Sequence, residues 1–302
     1  MHDIIIVGGG PAGLTAAIYG LRAGKSVLVI EKAGFGGQIA FSPKVENIPG
    51  TASISGSEFA DKLTEQAMNL GADVELERVT EVIPGEYFTV HTEEGGAYLG
   101  KSVILSVGVK HRTLGLPGEE ELIGNGISFC AVCDGAFYTG QDVVMIGGGN
   151  SAMQEALLLS EVCRKVTIVQ NLPFFTGEKK LADALHGKEN VEIHFSTLVE
   201  GYLAESGSLT GVRVKQENGK VWEIPADGVF LAVGLQPEND AFAPLAQLDD
   251  RGYFDTDEFC VTKTAGLFVA GDCRRKQIRQ VTTAAADGAV AAMAACRYLD
   301  QF

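Results

Sequence analysis

Basic residues are scarce in this chain: 24 lysines and arginines stand against 39 aspartates and glutamates, a net charge of −15. Nucleic acids and anionic membranes are gripped through basic patches, so the shortage argues against either as a partner. Long apolar runs are also lacking. Leu157-Leu158-Leu159 is far too short to cross a bilayer. The first apolar run, Ile4 to Val7, feeds straight into glycines and reads as a strand, not as a signal-peptide core. Of six cysteines only Cys130 and Cys133 have motif spacing. That argues against a secreted disulfide framework and for a cytoplasmic protein with one redox pair.

Glycine, by contrast, is plentiful. Its 38 positions in 302 exceed average usage, as expected where backbone turns must approach phosphates closely. The length suffices for two domains, each with its own core. The two halves repeat a plan. Asp3 to Val7 reads as a buried parallel strand, Pro11 to Ala23 as a helix and Ser26 to Glu31 as the next strand. Asp142 to Ile146, Ser151 to Val162 and Lys165 to Gln170 repeat it. Each half then shows hairpin alternation, Tyr87–His91 with Ala97–Leu99 and Val212–Lys215 with Val221–Ile224. Each closes on an apolar strand ending in glycine, Val103 to Gly108 and Val229 to Gly234.

The tail is no third copy. A strand at Leu267–Asp272 and an Ala-rich helix from Thr282 to Tyr298 would complete the first sheet. The expected fold is α/β, with two Rossmann-like three-layer (ββα) domains, the second inserted into the first. The first would span 1–113 and 240–302, the second 114–239, with linkers at Leu114-Gly115-Leu116-Pro117-Gly118 and Gln236-Pro237-Glu238.

Gly8-x-Gly10-x-x-Gly13 follows a strand, opens a helix and precedes Glu31 at the next strand's end. That context marks a dinucleotide fold. The glycines allow the turn and the approach of pyrophosphate to a helix N-terminus, while Glu31 accepts from a ribose hydroxyl. Gly147-x-Gly149-x-x-Ala152 has the same context without the acid, because Gln170 and Asn171 hold the strand end. It is a weak dinucleotide cradle or a relic that only supports the fold. Cys130-x-x-Cys133 could be half of a zinc site or two isolated cysteines. No second ligand pair accompanies it, and the neighbouring Asp134 suits proton transfer in thiol–disulfide exchange. These residues favour a redox dithiol and no metal.

Together with Gly36-Gly37-Gln38, Glu46-Asn47-Ile48-Pro49-Gly50, Gly271-Asp272-Cys273 and Arg279-Gln280-Val281, these motifs resemble the low-molecular-weight thioredoxin reductase family over nearly the whole chain. The resemblance implies FAD on the first domain, held by Gly8, Gly10, Pro11, Ala12, Gly13, Glu31, Lys32, Gly37, Gly108 and Gly271. It puts Gln38 and Asn47 near the flavin, Asp272 at the ribityl–phosphate region and Arg279, Gln280 and Val281 beside the isoalloxazine. Cys133 would be the sulfur nearest the flavin, Cys130 would attack the partner disulfide, and Asp134 would handle the proton. It further implies a homodimer that serves thioredoxin or a thioredoxin-like protein.

The chain departs from the family where nicotinamide cofactor binds. In place of His-Arg-Arg and a further Arg it has Gln170, Asn171, Leu172 and Thr176, and Gln154 replaces the first of two glutamates. Amide and apolar groups cannot supply bidentate contacts to a 2′-phosphate. Losing charge-assisted bonds of roughly 1.5–3 kcal/mol each disfavours NADPH. The intact turn leaves NADH open, and the resemblance extends to members that take electrons from a ferredoxin-type donor or a deazaflavin. A flavin dithiol oxidase and a flavin-bearing redox sensor are the competing classes; Asp134 after the second cysteine favours the reductase. Phe174 and Phe175 fill part of the second pocket or simply pack. Cys163, Cys260, Cys273 and Cys296 read as small packing residues, and Arg274-Arg275-Lys276 as a solvated loop.

Overall fold

The computed structural model describes residues 1–41, 45 and 47–301, apart from the side chains of Phe41 and Cys133; Glu46 of the 46–50 motif lies outside the described residues. Two compact units result, Met1–Lys110 with Gln236–Phe302, and His111–Leu235. The first opens with β1 (His2–Val7), α1 (Pro11–Arg22), β2 (Val27–Glu31), α2 (Gly56–Asn69) and β3 (Asp73–Leu76). A meander follows in β4 (Val79–Ile83), β5 (Phe88–Thr92) and β6 (Ala97–Leu105), then the short β7 (Val109–His111). Strands covered on both faces read as continuous apolar runs, and Ile4, Ile5 and Ile6 of β1 are fully buried. The order β3-β2-β1-β6-β5-β4 places Ile5 opposite Leu28 on one side and Val103 on the other, both parallel. Strand order reverses at β1, so a crevice opens past its carboxyl end, where Gly8 to Gly10 lie.

The second unit repeats this arrangement. It contains α3 (Glu119–Leu122), β8 (Ile127–Ser128), α4 (Ala131–Asp134), β9 (Asp142–Ile146), α5 (Asn150–Val162), β10 (Lys165–Val169), α6 (Lys179–His186) and β11 (Val191–His194). Then come β12 (Thr197–Glu205), β13 (Ser208–Gln216), β14 (Val221–Pro225) and β15 (Gly228–Leu231). The parallel sheet β11-β10-β9-β15-β8 reverses at β9, which gives Gly147 to Gly149 the place in this unit that Gly8 to Gly10 hold in the first. The hairpin expected at 212–224 forms, with Val212 opposite Ile224, and β12 adds a third strand. In the first unit the hairpin arm and the terminal parallel strand are one continuous β6; in the second, Ala226 and Asp227 separate β14 from β15.

The chain returns through β16 (Leu235–Pro237) and adds β17 (Leu267–Val269) and α7 (Val281–Leu299) to the first unit. Phe268 of β17 lies opposite Ile104, so the tail does complete the first sheet. A capping box between Gln280 and Thr283 starts α7. Small residues let α7 lie against α1: a Cβ on Gly288 would stand 2.1 Å from the Ala12 carbonyl oxygen. No helix among the described residues is long and apolar enough to cross a membrane.

Candidate functional site

The first glycine turn is shaped by contacts that only glycine permits. Gly8 leaves β1 at φ +106°, and a Cβ there would meet the Ser106 carbonyl oxygen at 2.3 Å. Gly13 packs so closely that its Cβ would sit 1.9 Å from the Gly8 carbonyl oxygen. Gly10 is the N-cap of α1, with no side-chain cap and Pro11 following; the first-turn amides are left for a ligand. The nearest described atom to a Cβ on Gly10 is Gly37 Cα, 3.9 Å away. That face is open.

Glu31 is buried at the end of β2, where Gly9 N–H donates to its Oε2 at 2.6 Å and Ala33 N–H to its Oε1 at 3.0 Å. It braces the turn. Gly36 N–H donates to the Gly9 carbonyl at 2.7 Å, which brings Gly37 against Gly10. Lys32 instead reaches Glu238 at 2.6 Å, and Gln38 is exposed. Gly108 turns at φ +68° with nothing within 4 Å of a Cβ. Asn47 Nδ2 donates to Gln280 Oε1 at 3.0 Å, tying the 47–50 segment to the start of α7, where Val281 is half-buried.

Gly271 adopts φ +84°, and a Cβ there would lie 2.8 Å from Ala12 Cβ, so Asp272 is delivered beside the start of α1. The neighbouring basic cluster corrects the sequence reading. Asp287 of α7 receives Arg274 Nε and Nη2 at 2.8 and 2.7 Å and Lys276 Nζ at 2.9 Å. Burial alone would raise the Asp287 carboxyl; these two cations hold it below the usual range. Arg274 and Lys276 are therefore buried partners of an internal carboxylate, and Arg275 alone stays exposed, against Asp255. Asp272 is different. Its Oδ1 is buried without a hydrogen-bond partner, Lys276 Nζ standing off at 3.9 Å, and burial pushes the carboxyl up. Arg279 donates to the Asp272 carbonyl at 3.2 Å and lies over the Tyr253 ring at 4.1 Å. An open glycine face, uncapped helix amides, a braced acid and an orphaned carboxylate oxygen fit a dinucleotide such as FAD.

In the second unit Cys130 is disulfide-bonded and immediately precedes α4. The Cys133 side chain lies outside the described residues. Asp134 N–H donates to the Cys130 carbonyl at 3.0 Å and closes the turn. Ser128 accepts from Cys130 N–H at 3.1 Å and donates to Asp134 Oδ2 at 2.5 Å, so one buried hydroxyl links cysteine and acid. From α5, Glu155 Oε2 accepts from Ala131 N–H at 3.2 Å. Burial pushes the Glu155 carboxyl up to about 7, against the pull of that amide. Ser128 does not stand out in the sequence, and Glu155 does so only as the second of the two glutamates, next to Gln154. The available signal was position: Glu155 falls between Ala152 and Leu159 on the buried face of α5.

The second glycine turn is held by its own loop. Thr176 N–H donates to the Gly148 carbonyl at 2.8 Å and Glu178 N–H to Asn150 Oδ1 at 2.7 Å. Gln170 is buried under Gly148 and donates to the Phe174 carbonyl at 3.2 Å. Phe175 packs edge-on against Phe195, whereas Phe174 is exposed. The other four cysteines are free and buried, and burial pushes the Cys273 thiol up to about 12. Among the described residues no cluster of three or more His, Cys, Asp or Glu could hold a metal ion.

Comparison with known proteins agrees with this geometry. The family model described as pyridine nucleotide-disulphide oxidoreductase matches residues 2–288. A thioredoxin reductase of Listeria monocytogenes is 39% identical, covering 100% of this chain and 95% of its own length. That of Bacillus subtilis is 38% identical, with 100% and 96% covered. The crystal structure of Lactococcus lactis thioredoxin reductase, 34% identical, superposes with a TM-score of 0.89 over 100% of both chains.

Proposed function

The chain belongs to the pyridine nucleotide-disulphide oxidoreductase family, among its low-molecular-weight thioredoxin reductases, and from that premise we propose that it reduces a thioredoxin-type disulfide with electrons that do not come from NADPH. FAD, when bound, supplies the two-electron carrier. Gly8, Gly10, Pro11, Ala12 and Gly13 would hold its pyrophosphate, Glu31 a ribose, and Asp272 the ribityl–phosphate region. Gln38, Asn47, Arg279, Gln280 and Val281 would border the ring.

Two electrons and two protons convert the disulfide of Cys130 and Cys133 to a dithiol. The Cys130 thiolate then attacks the partner disulfide, forming a mixed disulfide and expelling one partner thiolate. Cys133 attacks the Cys130 sulfur, restores the internal disulfide and releases the second partner thiol. Asp134, oriented by Ser128, carries the proton to or from a cysteine.

One observation carries the donor reading. The positions where the family resemblance puts guanidinium groups for a 2′-phosphate hold Gln170, Asn171, Leu172 and Thr176, and the Gln170 amide and the Thr176 hydroxyl already donate to the Phe174 and Gly148 carbonyls. A ferredoxin-type protein or a deazaflavin is the proposed donor, and a homodimer the proposed assembly. Anaerobic titration of the flavin tests this. We expect no bleaching by micromolar NADPH, bleaching by reduced ferredoxin, and then reduction of thioredoxin. Bleaching by NADPH overturns the reading; bleaching by NADH alone selects the NADH-dependent reductase.

A further inference from the structure

Two carboxylates flank the dithiol turn, and the exchange chemistry accounts for one. Asp134 belongs to the turn itself; Glu155 approaches from α5 and takes the amide of Ala131, the residue bonded to Cys130. An amide at the first helical position after a cysteine is a donor that a thiolate draws upon. A carboxylate that occupies it withdraws that donor and adds a like charge at the residue bonded to Cys130. Both effects disfavour the reduced, partly ionised cysteine pair. Burial and the Ala131 amide are what set the ionisation of Glu155, whose carboxyl stands near 7.

We propose that Glu155 is a positioning residue for the dithiol, whose charge, held on the Ala131 amide, makes the Cys130 disulfide harder to reduce and the dithiol a stronger reductant. The inference rests on the dithiol reading above and concerns only how its potential is set.

The test is a redox equilibrium on the flavin-loaded protein at pH 8, where the carboxylate is ionised. Wild type, Glu155→Gln, Glu155→Asp and Glu155→Ala are equilibrated anaerobically in dithiothreitol buffers, and Cys130 is scored by alkylation and mass. Glu155→Gln keeps an acceptor for Ala131 and drops the charge. It is expected to move the equilibrium at least threefold toward the dithiol, about 14 mV for a two-electron couple. Glu155→Ala should shift at least as far, and Glu155→Asp should return toward wild type. Equal shifts in Glu155→Gln and Glu155→Asp would assign the effect to packing and overturn the proposal. So would a Glu155→Gln equilibrium within 1.5-fold of wild type, even if Glu155→Ala fails to fold. Wild-type activity toward thioredoxin is measured separately: its absence sinks the function proposed above, not the shift in potential.

Discussion

Ser128 donates from its Oγ to the Asp134 carboxylate across 2.5 Å while accepting the Cys130 amide at 3.1 Å. The cysteine and the acid are thus registered by one buried hydroxyl, on a strand of two residues. Positioned proton transfer typically contributes on the order of 100-fold or more. Releasing the carboxylate should cost part of that. Ser128→Ala is expected to lower kcat with thioredoxin about tenfold at unchanged flavin content, and Ser128→Thr to retain most of the rate. Steady-state kinetics with each variant decides it; a full rate in Ser128→Ala would remove the hydroxyl from the chemistry.

The orphaned Oδ1 of Asp272 gives a prediction with two opposed readouts. A hydrogen bond lost from the folded protein normally destabilises it, but this oxygen has none to lose, and burial outweighs the attraction of Lys276 and Arg279 for its charge. Asp272→Ala should therefore leave the melting temperature of flavin-free protein unchanged or higher. Flavin affinity should fall by roughly 10- to 100-fold, the worth of one charge-assisted hydrogen bond. Fluorescence titration of apoprotein with FAD, beside calorimetry of the same samples, checks both.

Much of the fold was legible in the sequence. The glycine turns, Glu31 and the paired cysteines stand out because backbone approach and thiol chemistry each require one residue type at fixed spacing. The β strands read well where both faces are buried, as in Ile4 to Val7. What escaped were polar residues whose meaning depends on distant chain. Arg274 and Lys276 looked solvated because Asp287, which pairs with both, lies nearly two turns into the Ala-rich α7. Glu155 had no reading in the sequence beyond its place next to Gln154, because its meaning lies in the first amide of α4, which rests on it.

Close packing of α7 on α1 couples the tail to the cofactor turn. A Cβ on Gly288 would stand 2.1 Å from the Ala12 carbonyl and 3.1 Å from the Ala16 amide nitrogen, both backbone atoms that cannot swing aside. Overpacking of this kind costs about 1–3 kcal/mol. Gly288→Ala is expected to lower the melting temperature by several degrees and to displace the start of α1, so that the purified protein carries less flavin. Retention of full flavin at an unchanged melting temperature would show that α7 shifts freely.

Glu155 should leave a pH signature on stability. Its carboxyl stands at about 7 in the folded chain against 4.5 as its ordinary value. The protonated form is therefore the one folding favours. Its contribution is complete below about pH 4.5 and is lost as pH rises through 7. At about 1.4 kcal/mol per unit, that loss is on the order of 3 kcal/mol. Glu155→Gln does not ionise, so the gap between variant and wild type should widen in the variant's favour between pH 5 and pH 8. Paired thermal melts across that range check the sign; a gap constant with pH would mean that Glu155 is already ionised at pH 5.

The last prediction restores what the second glycine turn lacks. Thr176 donates to the Gly148 carbonyl both from its backbone N–H at 2.8 Å and from its Oγ1 at 3.3 Å; a different side chain at 176 would keep the shorter of the two bonds. Asn171 and Leu172 are exposed on the same loop. The triple change Asn171→Arg, Leu172→Arg, Thr176→Arg should therefore leave the turn intact while adding guanidinium groups for a 2′-phosphate. With each charge-assisted bond worth roughly 1.5–3 kcal/mol, NADPH affinity should rise by at least 100-fold. Stopped-flow reduction of the flavin by NADPH, against NADH as control, measures it. A gain confined to NADPH would locate the donor deficiency in those side chains. If neither nucleotide reduces the triple variant, the deficiency lies in the loop's backbone path, held by Gln170 on Phe174 and by Glu178 on Asn150.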